Sequence, residues 1–260
     1  MSQRVPILVY HHIYPDTAAE LNVSGEQGAG ILCESAMRRQ VEHLLASGWE
    51  CVSTTKIVDW LEGVDDGLPG KAFALHFDNG WLDTYETALM VTESCGVQAT
   101  CFPITDGVEA ASAGQSASVR TLTEGVVQKP FMTWEQVGKL VECGWEIGAH
   151  TATHCKVAER HQADGDAGVI EEAEVANRLF EQRLGTVPVH FAYPSGSRNE
   201  RSDKLLSAFY RSLRLWHFEQ PIRWTFTDGN TSPLAVDCQN IDIRVTFEAF
   251  EQLIESATST

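Results

Sequence analysis

Short apolar runs alternate along the chain with segments in which apolar residues recur at helical spacing. Five runs have the length of buried strands: residues 5–10, 72–77, 99–104, 146–149 and 187–192. The helical segments begin near Ser35, Trp81, Thr133, Asp166 and Glu200, and Thr246 is placed to cap a last one. This alternation favours a parallel sheet covered by helices. With about seven strand–helix units in 260 residues, we predict an α/β fold, a distorted barrel of the (β/α)7 type.

Two stretches interrupt the alternation. Residues 106–130 are rich in Gly, Ala and Ser and predict a surface insertion or lid, and residues 63–70 predict a Gly- and Asp-rich turn. Neither has the character of a linker between domains. We therefore interpret residues 1–260 as a single domain.

Side chains capable of catalysis stand where the predicted strands end. Four predicted strands are each followed by one such pair: His11 with His12, Asp78 with Asn79, His150 with His154, and Tyr193 with Ser195. In a barrel of parallel strands the carboxyl ends lie on one rim, where active sites are built. We therefore expect these side chains to converge.

The two histidines at positions 150 and 154 have the spacing of a metal-binding pair. Residues four apart lie on the same side of one helical turn, which would direct both imidazoles toward one ion. Imidazole pairs suit Zn²⁺, Co²⁺ or Ni²⁺, and a third ligand from an oxygen atom leaves positions open for water. The same spacing also occurs in solvated histidine pairs, and the position after a strand favours the ligand interpretation.

The bulk composition limits the classes of partner. A net charge of −17 disfavours nucleic acid and anionic membrane surfaces, and no segment reaches the ~20 apolar residues of a membrane span. Seven cysteines without a Cys-x-x-Cys motif argue against a disulfide framework or a zinc ribbon. The first residues predict a strand rather than a secretory signal, so a cytoplasmic location is expected.

Four motifs together resemble the polysaccharide deacetylases, also called the NodB-homology group or carbohydrate esterase family 4. Residues 76–80 read His-Phe-Asp-Asn-Gly, where the family typically has Thr-Phe-Asp-Asp-Gly. Residues 150–154, His-Thr-Ala-Thr-His, match the family's His-(Ser/Thr)-x-x-His, and residues 191–196, Phe-Ala-Tyr-Pro-Ser-Gly, resemble its third motif. Residues 9–13, Val-Tyr-His-His-Ile, are similar to the permuted subgroup that deacetylates poly-N-acetylglucosamine.

The resemblance implies a reaction and a role for each matching residue. Asp78 would be the general base that takes a proton from water, and His11 the general acid that protonates the leaving amine. Asn79, His150 and His154 would hold a divalent metal, with zinc expected and cobalt or nickel as alternatives. The implied reaction is metal-dependent removal of an N-acyl group, expected to be acetyl, from an amino sugar, oligosaccharide or glycoconjugate.

The resemblance also places residues around the scissile bond. The backbone N–H of Ser195 would hold the oxyanion, and Tyr193 and Trp216 are expected beside the substrate. His12 is expected to face away, because alternate residues of a strand point to opposite sides. His217 is an alternative acid.

Several positions depart from the family pattern. Asn79 replaces a metal-binding Asp, so either its neutral amide oxygen is a weaker ligand or the metal is held by His150, His154 and water. Ala192 occupies the place of an Arg that orients the base, and Arg198 could substitute for it or form only a surface ion pair. His76 is open to interpretation as a partner of the site or as a core residue.

Two other functions remain open at the level of sequence. One is hydrolysis of a different small-molecule C–N amide bond on the same fold. The other is carbohydrate binding without catalysis. The sequence assigns no oligomeric state.

Overall fold

Seven short parallel strands form the centre of the protein. The computed structural model describes residues 3–64, 67–122 and 125–258. The strands are β1 (Ile7–Tyr10), β2 (Ala72–Asn79), β3 (Thr100–Pro103), β4 (Glu146–Ile147), β5 (His190–Ala192), β6 (Ser212–Arg214) and β7 (Gln239–Asn240). The strands β1 to β5 overlap the five apolar runs, since a strand buried on both faces has little polar alternation.

The strands form a distorted (β/α)7 barrel, as predicted. Five strands pair in the order β4–β3–β2–β1–β7, and β5 pairs with β6, always in parallel. Single bridges from Ala149 to Phe191 and from Arg214 to Val236 connect the pair to the rest. The ring therefore closes through isolated contacts rather than through continuous ladders.

Helices cover the outside of this ring. They are α1 (Glu34–Ala46), α2 (Thr54–Leu61), α3 (Leu89–Cys95), α4 (Thr105–Ser112), α5 (Trp134–Glu142), α6 (Val157–Leu184), α7 (Glu200–Leu206) and α8 (Phe247–Thr258). At the start of α5, Thr133 and Gln136 form the predicted capping box, with bonds of 3.3 and 2.8 Å to each other's backbone N–H. α6 begins before the predicted residue 166, with a break at Gly165, where φ is +66°.

Shorter helical turns and strand pairs lie around the barrel. A π-helical turn at Thr84–Ala88 precedes α3, and 3₁₀ turns occur at Ala19–Leu21, Gly25–Gly28, Pro194–Gly196 and Pro233–Ala235. Outside the ring, Arg4–Val5 pairs with Thr227–Asp228, His12–Tyr14 with Ile31–Cys33, and Glu50–Cys51 with β2. No described helix is long and apolar enough to cross a membrane.

Alternation along β1 and β2 sorts side chains between two hydrophobic clusters. Leu8 and Tyr10 pack in the large cluster that contains the helices, whereas Ile7 and Val9 pack in a smaller one with Ala72 and Ala74. His11 continues the series of Ile7 and Val9 at a spacing of two residues. This period fixes which side chains emerge at the rim of the barrel.

The predicted insertion at residues 106–130 contains regular structure. Most of α4 lies in it, followed by an antiparallel hairpin of Val119–Thr121 with Gly125–Val127. Residues 123–124 of the insertion and residues 65–66 of the predicted turn lie outside the described residues. All seven cysteines are in the described ranges, and all are free. The assignment of residues 1–260 to one domain stays a prediction.

Candidate active site

One pocket at the carboxyl ends of the strands gathers the side chains singled out in the sequence. Its lining includes His11, Asp78, Asn79, His150, His154, Ser195 and Trp216, with Thr121 and Leu122 from the insertion. The residues come from the ends of β1, β2, β4 and β5 and from the segment after β6. The barrel topology thus assembles groups that are more than 200 positions apart in the chain.

The Asp78 carboxylate is the most strongly fixed group of the pocket. Its side chain is 2% exposed, and its Oδ1 accepts a hydrogen bond from Nη2 of Arg214, at the end of β6 and equally buried. Burial by itself raises the pKa of Asp78, but Arg214, His150 and His11 outweigh this effect and bring the pKa to about 2. Asp78 is therefore ionised throughout the neutral range.

His150 and His154 lie on a loop, so the explanation of their spacing by one helical turn is wrong. Thr151 and His154 both have a φ of +62°, which reverses the chain within the segment. The ring centroids are 5.0 Å apart. Each Nδ1 lies 2.8 Å from a backbone oxygen, of Ala192 and of Arg120 respectively. Because a carbonyl can only accept, each Nδ1 carries the proton and each Nε2 keeps a lone pair.

A buried carboxylate holds this histidine loop in place. Glu172 of α6 is 7% exposed. It accepts hydrogen bonds of 3.0 and 3.1 Å from the backbone N–H groups of Ala152 and Thr153, and one of 2.8 Å from the Thr153 hydroxyl. Three bonds to one carboxylate fix the backbone between the two histidines, and this limits the movement of both rings.

Asn79 supplies an oxygen that has no partner within the described part of the chain. Its Oδ1 is buried without a hydrogen bond, which costs about 1–3 kcal/mol unless a ligand satisfies it. The residue has a φ of +75° and precedes Gly80 at +78°. A Cβ at Gly80 would lie 2.7 Å from Cβ of Pro103, so this turn requires glycine.

The potential ligand atoms of the pocket fit a divalent cation, bound with moderate affinity. Two imidazole Nε2 atoms and one amide oxygen could hold it, and the unsatisfied Oδ1 of Asn79 is the observation that favours this use. Among the described residues, no group of three or more His, Cys, Asp or Glu side chains is placed to hold a metal. The candidate site therefore depends on the amide of Asn79.

Backbone strain concentrates at this pocket. In the described ranges, the non-glycine residues with positive φ are Asn79, Thr151, His154 and Ser195. All belong to the pocket or to the loop between its histidines. Such conformations cost roughly 1–3 kcal/mol each and persist where the surrounding structure enforces them, most often at functional sites.

His11 stands opposite the buried ion pair. Its Nε2 is 3.9 Å from Oδ2 of Asp78, and its ring meets the edge of Trp216 with a centroid separation of 6.4 Å. Burial lowers the pKa of His11 to about 4, although Asp78 acts in the opposite direction. The imidazole of the free protein is therefore neutral at pH 7.

Comparison with known proteins agrees with this architecture. The family model for polysaccharide deacetylases matches residues 65–210, more than half of the chain. The chain belongs to the polysaccharide deacetylase family. The Bacillus subtilis (strain 168) protein YxkH, which is named for the same family, is 22% identical over 201 residues, or 77% of this chain and 60% of the relative. The chain thus spans about three fifths of the length of this relative.

Solved structures share the fold over nearly the whole chain. The deacetylase PplD from Streptococcus pyogenes, in complex with acetate, superimposes with a TM-score of 0.78 at 18% identity, covering 98% of this chain and 99% of that one. IcaB from Ammonifex degensii gives 0.73 at 21% identity, with 99% and 98% covered. A de-N-acetylase from Aggregatibacter actinomycetemcomitans gives 0.77 at 18% identity, with 96% and 99% covered. At these identities the likeness establishes the fold.

Of the third motif, the turn at Ser195 lines the pocket, whereas Tyr193 does not. Ser195 lines the pocket with a φ of +55°. Tyr193, expected beside the substrate, is fully buried, donates its hydroxyl to Asp203 at 2.7 Å and its backbone N–H to Arg214 at 3.0 Å. Both of its donors are used, and Tyr193 is not among the residues that line the pocket, contrary to its expected place beside the substrate. Trp216 lines the pocket as expected.

Several histidines named in the sequence stand away from the reacting centre. His12 is buried in the wall, where it is 2.7 Å from Asp83 and stacks on Trp81. His217 is hydrogen-bonded to Thr225 at 2.7 Å and is not among the residues that line the pocket. His76 does not line the pocket. It is fully buried, its ring lies 5.1 Å from that of Phe102 and it is hydrogen-bonded to Thr54 at 2.9 Å, which favours its interpretation as a core residue.

Two residues that hold the pocket in place, Arg214 and Glu172, were not predicted from the sequence. Arg198 pairs with Asp203 at the surface, and the arginine on Asp78 is Arg214. Arg214 follows Arg211, Ser212 and Leu213 rather than an apolar run, so the rule that singled out Asp78 could not have found it. Glu172 has no comparable signal, because an acidic residue inside a long polar helix resembles any exposed one.

Proposed function

We propose that this protein hydrolyses the amide bond of an N-acylated amino sugar, with acetyl as the acyl group. The observation that carries the proposal is the Asp78–Arg214 ion pair facing His11 across the pocket that also contains His150, His154 and Asn79. Membership of the polysaccharide deacetylase family supports a carbohydrate substrate. The acetate bound to the similar Streptococcus pyogenes deacetylase supports acetyl as the group removed.

His150, His154 and Asn79 would hold a divalent metal, for which we propose zinc. A metal bound there supplies Lewis acidity to the acyl carbonyl and to the attacking water. The protein contributes neutral imidazoles whose protons are fixed on Nδ1, which makes their Nε2 atoms ligands at neutral pH.

Asp78 and His11 divide the proton transfers between them. Asp78 takes a proton from the attacking water through Oδ2, because Arg214 occupies Oδ1. His11 protonates the nitrogen of the leaving amine, so the C–N bond breaks without releasing an amide anion. Since burial leaves His11 neutral, its proton comes from within the reaction. Asp78, whose Oδ2 lies 3.9 Å from Nε2, can pass on the one taken from water.

The turn after β5 would stabilise the negative charge that develops on the acyl oxygen. Ser195 lines the pocket in a left-handed conformation, and we assign its backbone N–H as an oxyanion donor. Arg214 positions the base rather than touching the substrate, because its side chain is buried behind Asp78.

An acetate-release assay tests this proposal. Purified protein is stripped with EDTA, reloaded with Zn²⁺ or Co²⁺, and offered N-acetylglucosamine, its disaccharides and a panel of simple N-acetyl amides. We expect release from the sugars only in the reloaded protein, and loss of release in Asp78→Asn. Arg198→Met, which removes a surface cation away from the pocket, serves as the matched control. The absence of release by metal-loaded protein from every amide would refute the proposal.

A further inference from the structure

The loop of residues 150–154, which carries both histidines, has no regular secondary structure of its own. Contacts from four other parts of the fold hold it. The two imidazoles are bonded to backbone carbonyls of β5 and of the hairpin in the insertion. The backbone N–H of Asp106 in α4 donates to Ala152 at 3.0 Å, and Glu172 of α6 accepts bonds from the backbone between the histidines.

The backbone of this loop adopts a conformation that its residues disfavour. Thr151 and His154 both lie in the left-handed region, with a φ of +62°. In that region the Cβ of a residue other than glycine is crowded, and a β-branched residue such as threonine is especially unfavourable. The conformation must therefore be imposed by contacts with the backbone itself. The two ring–carbonyl bonds orient the imidazoles but do not act on the peptide groups between them.

Glu172 makes the contacts that act on these peptide groups. The N–H groups of Ala152 and Thr153 donate to its Oε2 at 3.0 and 3.1 Å, and the Thr153 hydroxyl donates to its Oε1 at 2.8 Å. Successive backbone N–H groups beside a left-handed residue form a concave site for an anion. The carboxylate of Glu172 fills this concavity, so both of its oxygens are used on the loop.

The charge of Glu172 is not explained by the packing of α6. Glu159, Asp164 and Glu171 of the same helix pair with a lysine or an arginine, whereas Glu172 is 7% exposed and has no such partner within the described ranges. A buried carboxylate without a cation lowers stability unless hydrogen bonds compensate it. Since those hydrogen bonds all come from residues 152 and 153, the charge at position 172 serves the histidine loop.

We propose that Glu172 is a positioning residue that sets the affinity of the candidate metal site, because it holds the loop in the geometry of a ligand before the metal binds. It contacts neither the metal nor the substrate. The inference rests on the proposed function, because it takes His150 and His154 as ligands. A loop that relaxed in the metal-free protein would have to be reordered on binding, and the apparent affinity would fall by the fraction of molecules in the competent conformation.

A zinc titration tests this inference without reference to catalysis. Metal-free protein is titrated with Zn²⁺ at pH 7 in competition with a chromophoric chelator. We expect Glu172→Gln to bind zinc about 10–100-fold more weakly than the wild type, the range typical of residues that support a metal ligand. Glu146→Gln is the matched control, because Glu146 also accepts a backbone N–H, from Thr55 at 3.2 Å, but does not line the pocket. Its zinc affinity should be unchanged.

A pair of variants at Thr153 repeats the test without altering a buried residue. Thr153 is exposed, and Thr153→Val removes only the hydroxyl that donates to Glu172. We expect zinc affinity to fall about fivefold, which corresponds to one ordinary hydrogen bond. Thr153→Ser retains the hydroxyl and should restore the wild-type affinity.

Urea unfolding of the same metal-free proteins separates positioning from a purely structural role. A Glu172→Gln protein that is less stable than the wild type but binds zinc equally tightly would overturn the inference, as would equal affinities in wild type and Thr153→Val. Either result leaves the deacetylase proposal standing, since the wild type still binds the metal. A wild-type protein that binds no zinc would overturn both the inference and the proposed metal site.

Discussion

Replacing Arg214 with Met removes the only guanidinium bonded to the Asp78 carboxylate within the described residues and keeps a side chain of similar length. Both partners are 2% exposed. In the wild-type protein the pKa of Asp78 is about 2 against an ordinary 3.8, which corresponds to about 2 kcal/mol of stability. Leaving a buried charge unpaired costs more, about 3–5 kcal/mol. We therefore expect the variant to lose 2–5 kcal/mol of unfolding free energy, roughly the range these two estimates span.

Urea unfolding of metal-free protein at pH 7 measures this loss. Arg198→Met is the matched control, because Arg198 pairs with Asp203 while its side chain is 33% exposed. A partly solvated pair of this kind is worth at most about 1 kcal/mol. The double variant with Asp78→Asn completes a thermodynamic cycle, in which the loss should be smaller than in Arg214→Met alone because no charge is stranded.

The pH dependence distinguishes an electrostatic loss from a packing loss. In the wild-type protein the contribution of Asp78 is fully present above pH 4 or so and disappears as the pH falls through about 2. Without Arg214, burial raises the pKa of Asp78, so acidification protonates the carboxyl and relieves the penalty. The difference in stability between wild type and Arg214→Met should therefore narrow as the pH falls from 7 toward 4. A constant difference, or one no larger than that of Arg198→Met, refutes the reasoning.

Three further predictions concern the same pocket. Asn79→Asp, which adds a charge at the orphaned Oδ1 position, should strengthen zinc binding about tenfold or more in a competition titration with a chromophoric chelator; unchanged affinity would show that residue 79 does not face the ion. His11→Gln should lower kcat for acetate release by roughly 10²–10⁴-fold with little change in KM, and normal turnover would exclude His11 as the acid. Because burial lowers the pKa of His150 to about 3, the metal-free protein should lose about 2 kcal/mol of unfolding free energy through His150 between pH 7 and pH 5, and a urea midpoint independent of pH would contradict this.

Much of the fold follows from local patterns. The apolar runs at β1, β2 and β3 and the capping box of α5 are interactions between neighbouring residues or the burial of a contiguous stretch, so the sequence displays them directly. The elements that were mispredicted depend on contacts elsewhere. The segment after β4 has histidines at helical spacing but folds as a loop, because Glu172 binds its backbone N–H groups from another element.

The candidate site likewise contains residues that the sequence predicted and residues that it did not. Asp78, His150 and His154 were found because polar residues that end buried strands have few structural reasons to be there. Arg214 could not be assigned in this way. An arginine at the end of β6 comes to lie against a carboxylate at the end of β2 only when the ring closes.

The sequence by itself determined the family, the barrel and the chemical identity of the groups at the strand ends, because periodicity and residue type are local properties. Only the tertiary structure decided that Arg214 and not Arg198 neutralises Asp78, and that Tyr193 is excluded from the pocket. These are questions of distance and direction between residues far apart in the chain. Closure of the ring answers them, because it brings β2 and β6, separated by more than 130 positions, to the same pocket.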